Sequence, residues 1–181
     1  MRLGILSDIH DSVWKLNTAL SHLKNCDVLL CCGDLCSPFV IDELAKAFPR
    51  DIHIVFGNND ADLFRITSKT KAFPQVKLAG EFFEGTFDGK RIAMNHFDAI
   101  AKPIAQSGLY DVVCFGHNHV LEVTTFGETL AINPGPIMGA KFGPAGRMDC
   151  PSTFMTLDTS LNKPKVFEIT AGNEVMEFQS Y

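Results

Sequence analysis

The sequence predicts an α/β fold in which two sheets pack face to face with helices on their outer sides. Three observations carry this. Apolar runs alternate with amphipathic helical stretches as βαβαβ through residue 70, the pattern of a parallel sheet with right-handed crossovers. From residue 76 the rhythm changes to strands joined by tight turns, the pattern of a more antiparallel sheet. Five of the apolar runs end on a residue type that binds metals, and in open α/β sheets ligands sit outside the carboxyl ends of strands. With 181 residues, 46% of them hydrophobic and 20% charged, the chain can bury one sizeable core and is short for two. Residues 1–181 therefore read as one domain.

Residues 2–7 are near-continuously apolar, as a central parallel strand is. A helix follows with Asp11 or Ser12 as its N-cap, and Val13, Leu16, Leu20 and Leu23 recur at helical spacing. A second strand spans 27–32. Ser37 then caps a helix with Pro38 at its first position and an inner face of Val40, Ile41, Leu44, Ala45 and Phe48. A third strand at 52–56 and a helix near 61–69 complete this half, closed off by Phe73-Pro74. Residues 81–87 and 90–95 flank Asp88-Gly89, a strong two-residue hairpin signal. A short helix at 99–107 carries Pro103 near its start and stops at Gly108. The strand 111–115 follows, then a hairpin of 120–126 and 129–133 around Gly127-Glu128. Residues 134–151 are rich in glycine and proline and read as a long functional loop. Strands at 152–158 and 163–170 meet at Asn162, and the polar tail from Ala171 is assigned no element.

A formal net charge of −5 argues against a dedicated binder of long nucleic acid but not against a small phosphorylated substrate, because bound cations can supply local positive charge. The first strand begins at once, with Asp8 and His10 interrupting any signal-peptide core, and no apolar run approaches the roughly 20 residues that span a bilayer. A cytoplasmic protein that engages no membrane is expected. There the six cysteines stay reduced; no CxxC pair exists, and Cys31 and Cys32 would face opposite sides of one strand. Cys36, close after Asp34, is the thiol placed to neighbour a bound metal.

The strand ends hold the chemistry. The first strand runs into Asp8 and His10, the second into Gly33-Asp34, and the third into Gly57-Asn58-Asn59-Asp60. The strand 90–95 runs into His96, and 111–115 into Gly116-His117-Asn118-His119. Histidines at i and i+2 on an extended segment project to one side. Nitrogen and oxygen donors without thiolates suit manganese, iron, zinc, nickel or cobalt. Asp8, His10, Asp34, Asn58, His96, His117 and His119 are too many donors for one such ion with an open position. They suit two ions sharing a carboxylate. Asp34 is the best bridge, since Gly33 lets the backbone bring it to the centre. Two divalent ions, two aspartates and a bridging hydroxide leave the pocket at about +1, which favours an anionic phosphate. Paired ions activate a bridging water for in-line displacement at phosphorus.

These motifs resemble those of the calcineurin-like metallophosphoesterases, in their small single-domain bacterial and archaeal branch. That family's pattern is D-x-H, G-D, G-N-H-[DE], a lone histidine, then G-H-x-H. Here it reads Asp8-Ile9-His10, Gly33-Asp34, Gly57-Asn58-Asn59-Asp60, His96 and Gly116-His117-Asn118-His119, in order, over residues 1 to 136. The resemblance implies a four-layer α/β/β/α sandwich. It implies Asp8, His10 and His119 on a first metal, Asn58 (through its amide oxygen), His96 and His117 on a second, and Asp34 on both. Manganese, nickel or iron are the implied ions, phosphodiesters the commonest implied substrates, and a homodimer a common assembly among relatives, although no apolar stripe identifies an interface.

Two departures stand out. Asn59 replaces a histidine of the larger family that is thought to stabilise the transition state or protonate the leaving oxygen, and an amide has no titratable proton near neutral pH. A selective enzyme that prefers acidic leaving groups is therefore expected, with Asn59 and Asp60 as the catalytic candidates beside the metals, Asp60 acting through a water. Pro136 stands where relatives carry serine. Lys102, Lys141 and Arg147 are the loop cations placed to reach substrate phosphate. The expected function is a metal-dependent phosphodiesterase. A phosphomonoesterase or nucleotide phosphatase is the alternative within the enzyme class. A protein-binding scaffold, as in the retromer subunit of this fold, is the alternative outside it.

Overall fold

The computed structural model describes residues 1–178, so the last three residues of the expected domain, 179–181, lie outside the described residues. Strand β1 (Arg2–Leu6), helix α1 (Val13–Leu23), β2 (Val28–Cys31), α2 (Phe39–Ala47), β3 (Ile52–Ile54) and α3 (Leu63–Thr70) form the expected alternation. It continues one strand further, to β4 (Val76–Leu78), which pairs in parallel with β3. The sequence hides β4 because it is three residues long with Lys77 in its middle, too short for a period to register.

The second half comprises β5 (Phe82–Phe87), β6 (Lys90–Asn95), α4 (Asp98–Gln106), β7 (Val112–Cys114), β8 (Glu122–Phe126) and β9 (Thr129–Asn133). The β5–β6 hairpin turns at Asp88 and Gly89, φ 53° and 78°, the left-handed pair that such turns require. Pro103 is the sixth residue of α4 rather than near its start. The expected long loop is not structureless: β10 (Ala140–Gly143) and β11 (Gly146–Asp149) form a small hairpin within it. Then follow β12 (Ser152–Asp158), β13 (Lys163–Ile169) and, in the unassigned tail, β14 (Val175–Glu177).

The strands build a seven-stranded sheet, β14-β13-β12-β1-β2-β3-β4, and a five-stranded one, β5-β6-β7-β9-β8. The two halves of the chain do not each own one sheet. β12 returns to pair antiparallel with β1, and the second sheet has a parallel centre of β6, β7 and β9. Alternation along the strands sorts the core into three layers. Leu3, Ile5, Leu30, Cys32, Met94, Val112, Cys114 and Ile132 pack between the sheets. Leu6, Leu29 and Cys31 meet Leu16, Leu20, Val40, Ile41 and Leu44 of α1 and α2. Ala93, Val113 and Ala131 meet Ala101 and Ala105 of α4. The order is helix, sheet, sheet, helix, and Cys31 and Cys32 do face opposite sides.

The two caps differ in detail. Ser12 precedes α1 without a side-chain cap bond. Asp11 instead accepts from the amide (3.0 Å) and hydroxyl (2.6 Å) of Ser37. That engagement takes Ser37 away from capping α2, which starts at Phe39 after Pro38. No helix of the described residues is long and apolar enough to cross a membrane.

Candidate metal centre

Asp8 and His10 follow β1, Asp34 follows β2, and Asn58 follows β3; His96 follows β6, and His117 and His119 follow β7. The first three strands are neighbours in one sheet and the last two in the other. Stacking the sheets brings all five junctions to one edge. The turns there are tight: Asp8, His10, Asp34, His117 and His119 have φ of 52°, 43°, 56°, 73° and 55°. Non-glycine residues in this left-handed region are strained by about 1 kcal/mol or more each, and such strain gathers at functional sites.

The donors form two groups. Asp8, His10, Asp34 and His119 each present one ligand atom within 4.8 Å of the others. His10 Nε2 lies 3.2 Å from His119 Nε2 and 3.3 Å from Asp34 Oδ2, and His119 Nε2 lies 3.3 Å from Asp8 Oδ1. In the second group, Asn58 Oδ1 is 2.8 Å from His117 Nδ1 and 3.2 Å from His96 Nε2. Asp34 Oδ2 is also 3.4 Å from His96 Nε2. One aspartate oxygen thus stands between the groups.

The donor set fits divalent metal. His96 Nδ1 faces the Cys32 carbonyl at 2.7 Å, and His119 Nδ1 faces the Ala140 carbonyl at 2.5 Å. A carbonyl only accepts, so each Nδ1 carries a proton and each Nε2 faces the centre, donating to a carboxylate when protonated and free to ligate a metal when not, the usual orientation of a metal-binding histidine. Burial works against the charge on Asp34, but hydrogen bonds from His10 and His96 outweigh it and hold its carboxyl far below the usual range. Burial likewise works against protonation of His96 and His119, and contacts with Asp34 and Asp8 reverse that, leaving both raised. Cys36 is where the sequence suggests, its Sγ 3.4 Å from His10 Nδ1. Burial, then the charge of Asp34, pushes its thiol up to about 12, and it is not among the four donors gathered within 4.8 Å of one another.

Glycines make the approach possible. A Cβ on Gly116 would overlap Ser7 Oγ and lie 2.6 Å from Asp8 Oδ2; one on Gly57 would overlap Asp34 Oδ1. Gly33, at φ 97°, makes a left-handed turn, and a Cβ there would lie 2.8 Å from His96 Nδ1.

Asn59 lies at the mouth, with its backbone amide 2.8 Å from Asp34 Oδ1 and its Nδ2 2.8 Å from Asp34 Oδ2. Asp60 is buried below. Its carboxylate accepts from the amides of Gly57 (2.7 Å), Cys36 (2.9 Å) and Asp34 (3.1 Å). Those contacts shape the two turns that carry Asn58 and Asp34. Pro136 bridges in parallel to Ser7, beside the amide of Met138 donating to the Asp8 carbonyl at 3.1 Å.

Sequence reasoning assigned no role to Asn133, Asn118, Asp98 or Phe142. Asn133 Nδ2 donates to the Gly116 carbonyl (3.0 Å) and Asn118 Oδ1 (2.9 Å), and Asn118 Nδ2 donates to Asp98 Oδ2 (3.1 Å), bracing the turn between the two histidines. The asparagine before Pro134-Gly135 was the signal for it. Phe142 had none, since it sits in the glycine-rich stretch. A cleft of about 730 Å³ opens over the centre, lined by His10, Asn58, Asn59, Asp98, His117, Asn118, His119 and Phe142. The expected loop cations are not among its lining residues. Lys102 pairs with Glu122 at 2.8 Å, Arg147 pairs with Asp149 at 3.1 Å, and Lys141 lies on β10.

Comparison with known proteins gives a consistent answer. The calcineurin-like phosphoesterase superfamily domain matches residues 1–162. A phosphodiesterase of Methanocaldococcus jannaschii is 30% identical over 143 residues, 77% of this chain and 86% of that protein. The structure of an archaeal phosphodiesterase matches with a TM-score of 0.78 and 27% identity, over 93% of this chain and 99% of that one. Vps29 of Entamoeba histolytica, solved with zinc, shares the fold at a TM-score of 0.65 and 22% identity, over 99% and 100% of the two chains. The family's domain spans every strand end at which the donors gather, and the chain belongs to the calcineurin-like phosphoesterase superfamily.

Proposed function

We propose that this phosphoesterase is a metal-dependent phosphodiesterase working through a dinuclear centre, with the whole chain as its domain. The observation that supports two ions is Asp34 Oδ2, set 3.3 Å from His10 Nε2 and 3.4 Å from His96 Nε2. Asp8, His10 and His119 would hold one ion, Asn58, His96 and His117 the other, and Asp34 would serve both. Bound there, manganese, nickel, iron or zinc would lower the pKa of water and offset the charge developing at phosphorus. Asn59 leaves Asp34 to donate its amide to a phosphoryl oxygen, and it offers no proton to the leaving group. Asp60 is the positioning residue, holding the turns of Asp34 and Asn58 through backbone amides.

The cleft favours a diester over a monoester. No lysine or arginine is among its described lining residues, and Asp98 is. A monoester dianion would meet that carboxylate with no extra cation to clamp it, whereas a diester carries a single negative charge. The scaffold reading draws on the Vps29-like fold, but the complete set of seven donors speaks for catalysis.

The test is hydrolysis of bis(p-nitrophenyl) phosphate and p-nitrophenyl phosphate by metal-stripped protein supplied with manganese, nickel or zinc. Diester cleavage that needs metal and disappears in Asp34→Asn supports the proposal. Monoester cleavage alone would replace it with the phosphatase reading, and silence without metal binding would leave the scaffold.

A further inference from the structure

Phe142 is 64% exposed, yet it lies at the mouth of the catalytic cleft among histidines, asparagines and an aspartate. It is the sole hydrocarbon side chain among the described lining residues. Its position is held rather than incidental. β10 begins at Ala140, whose carbonyl meets His119 Nδ1 at 2.5 Å, and Phe142 stands two residues along, on the same face of the strand. The hairpin is anchored to the centre just before β10, where Met138 N donates to the Asp8 carbonyl at 3.1 Å, and its neck is closed by Cys150 N donating to the Gly139 carbonyl at 3.2 Å. The ring is therefore carried at a set offset from the phosphorus site.

The second ester group of a diester must leave the centre through this mouth. The polar lining suits the phosphate and its hydroxyl neighbours, whereas Phe142 offers a flat apolar face and no hydrogen bond. A planar aromatic group gains from such a face by stacking, and an alkyl chain gains much less. Building on the diesterase reading above, we infer that Phe142 is a specificity-determining residue that stacks on an aromatic ester group. The preferred substrates are then aryl- or nucleobase-bearing phosphodiesters rather than dialkyl ones.

Calorimetric binding of two slowly hydrolysed anions, diphenyl phosphate and diethyl phosphate, to the manganese-loaded protein tests this without turnover. Diphenyl phosphate is expected to bind about 3- to 10-fold more tightly. In Phe142→Ala that ratio should fall to about one, and in Phe142→Trp it should be kept or enlarged. Equal binding of the two diesters by the wild type, or an unchanged ratio in Phe142→Ala, would overturn the inference while leaving the diesterase reading in place. Binding of neither anion by manganese-loaded protein would overturn both.

Discussion

At the scale of single residues, the centre depends on side chains that are missing as much as on those present. Gly116 has no Cβ because Ser7 and Asp8 occupy that space. Gly116→Ala is expected to push the Asp8 carboxylate off its position, where it also accepts from the His117 amide at 3.2 Å. Metal affinity, read by calorimetric titration, should fall roughly 10- to 100-fold, as it does when groups that orient ligands are disturbed, while circular dichroism stays that of the folded protein. Asn59 poses the opposite case, a group with a hydrogen bond to give but no acidic proton. Asn59→His should raise turnover of alkyl-leaving diesters up to about 100-fold, the lower range for general acid catalysis, with little change for p-nitrophenyl esters. Equal effects on both leaving groups would show that position 59 does not serve the leaving oxygen.

At the scale of elements, β3 carries a titrating contact away from the centre. His53 packs against Phe83 and Phe87 of β5, ring centroids 4.7 and 5.5 Å apart, in the space between the sheets. Burial first, then the charge of neighbouring Lys77, lowers its pKa below the ordinary 6.5. A histidine held neutral by the fold contributes stability that is fully present above its unfolded pKa and lost as pH falls through the folded one. His22 is exposed overall, but its ring rests against Phe154 and Phe167, and the partial loss of water there lowers its pKa in the same sense. Between about pH 7 and pH 5, wild type should lose thermal stability faster than His53→Phe, the variant removing one such titration. Parallel melting-temperature curves would refute this. His96 and His119 of the centre are raised instead, so the comparison is made with metal bound.

Across the whole molecule, the centre ties the two sheets together. Asp8, His10, Asp34 and Asn58 come from the seven-stranded sheet, and His96, His117 and His119 from the other. Metal binding therefore couples to global stability. At about 100 times its dissociation constant, a single ion bound only by the native state adds about 2.7 kcal/mol, which for a chain of this size raises the melting temperature by roughly 5–10 °C. Manganese should produce that rise in wild type, a chelator should reverse it, and Asp34→Asn should show little of it in a thermal scan.

Much of this was legible in the chain alone. The period of apolar residues in β1, α1, β2 and α2 marks which faces are buried, because a strand repeats every two residues and a helix every 3.6 wherever one side meets a core. The motifs at the strand ends name the donors, because only certain side chains bind borderline divalent ions. What no local pattern carries is which strand lies beside which. β12 pairs with β1 across 150 residues or more, β4 and β14 are three residues each, and the β10–β11 hairpin sits in a stretch read as loop. These depend on long-range hydrogen bonds and on neighbours that cover each edge. The same holds for Phe142, for the amides that Asp60 and Asn133 reach, and for the loop cations, which do not line the cleft. The residue types at the centre follow from chemistry written locally, whereas their distances, supports and the shape of the cleft follow from how the two sheets stack.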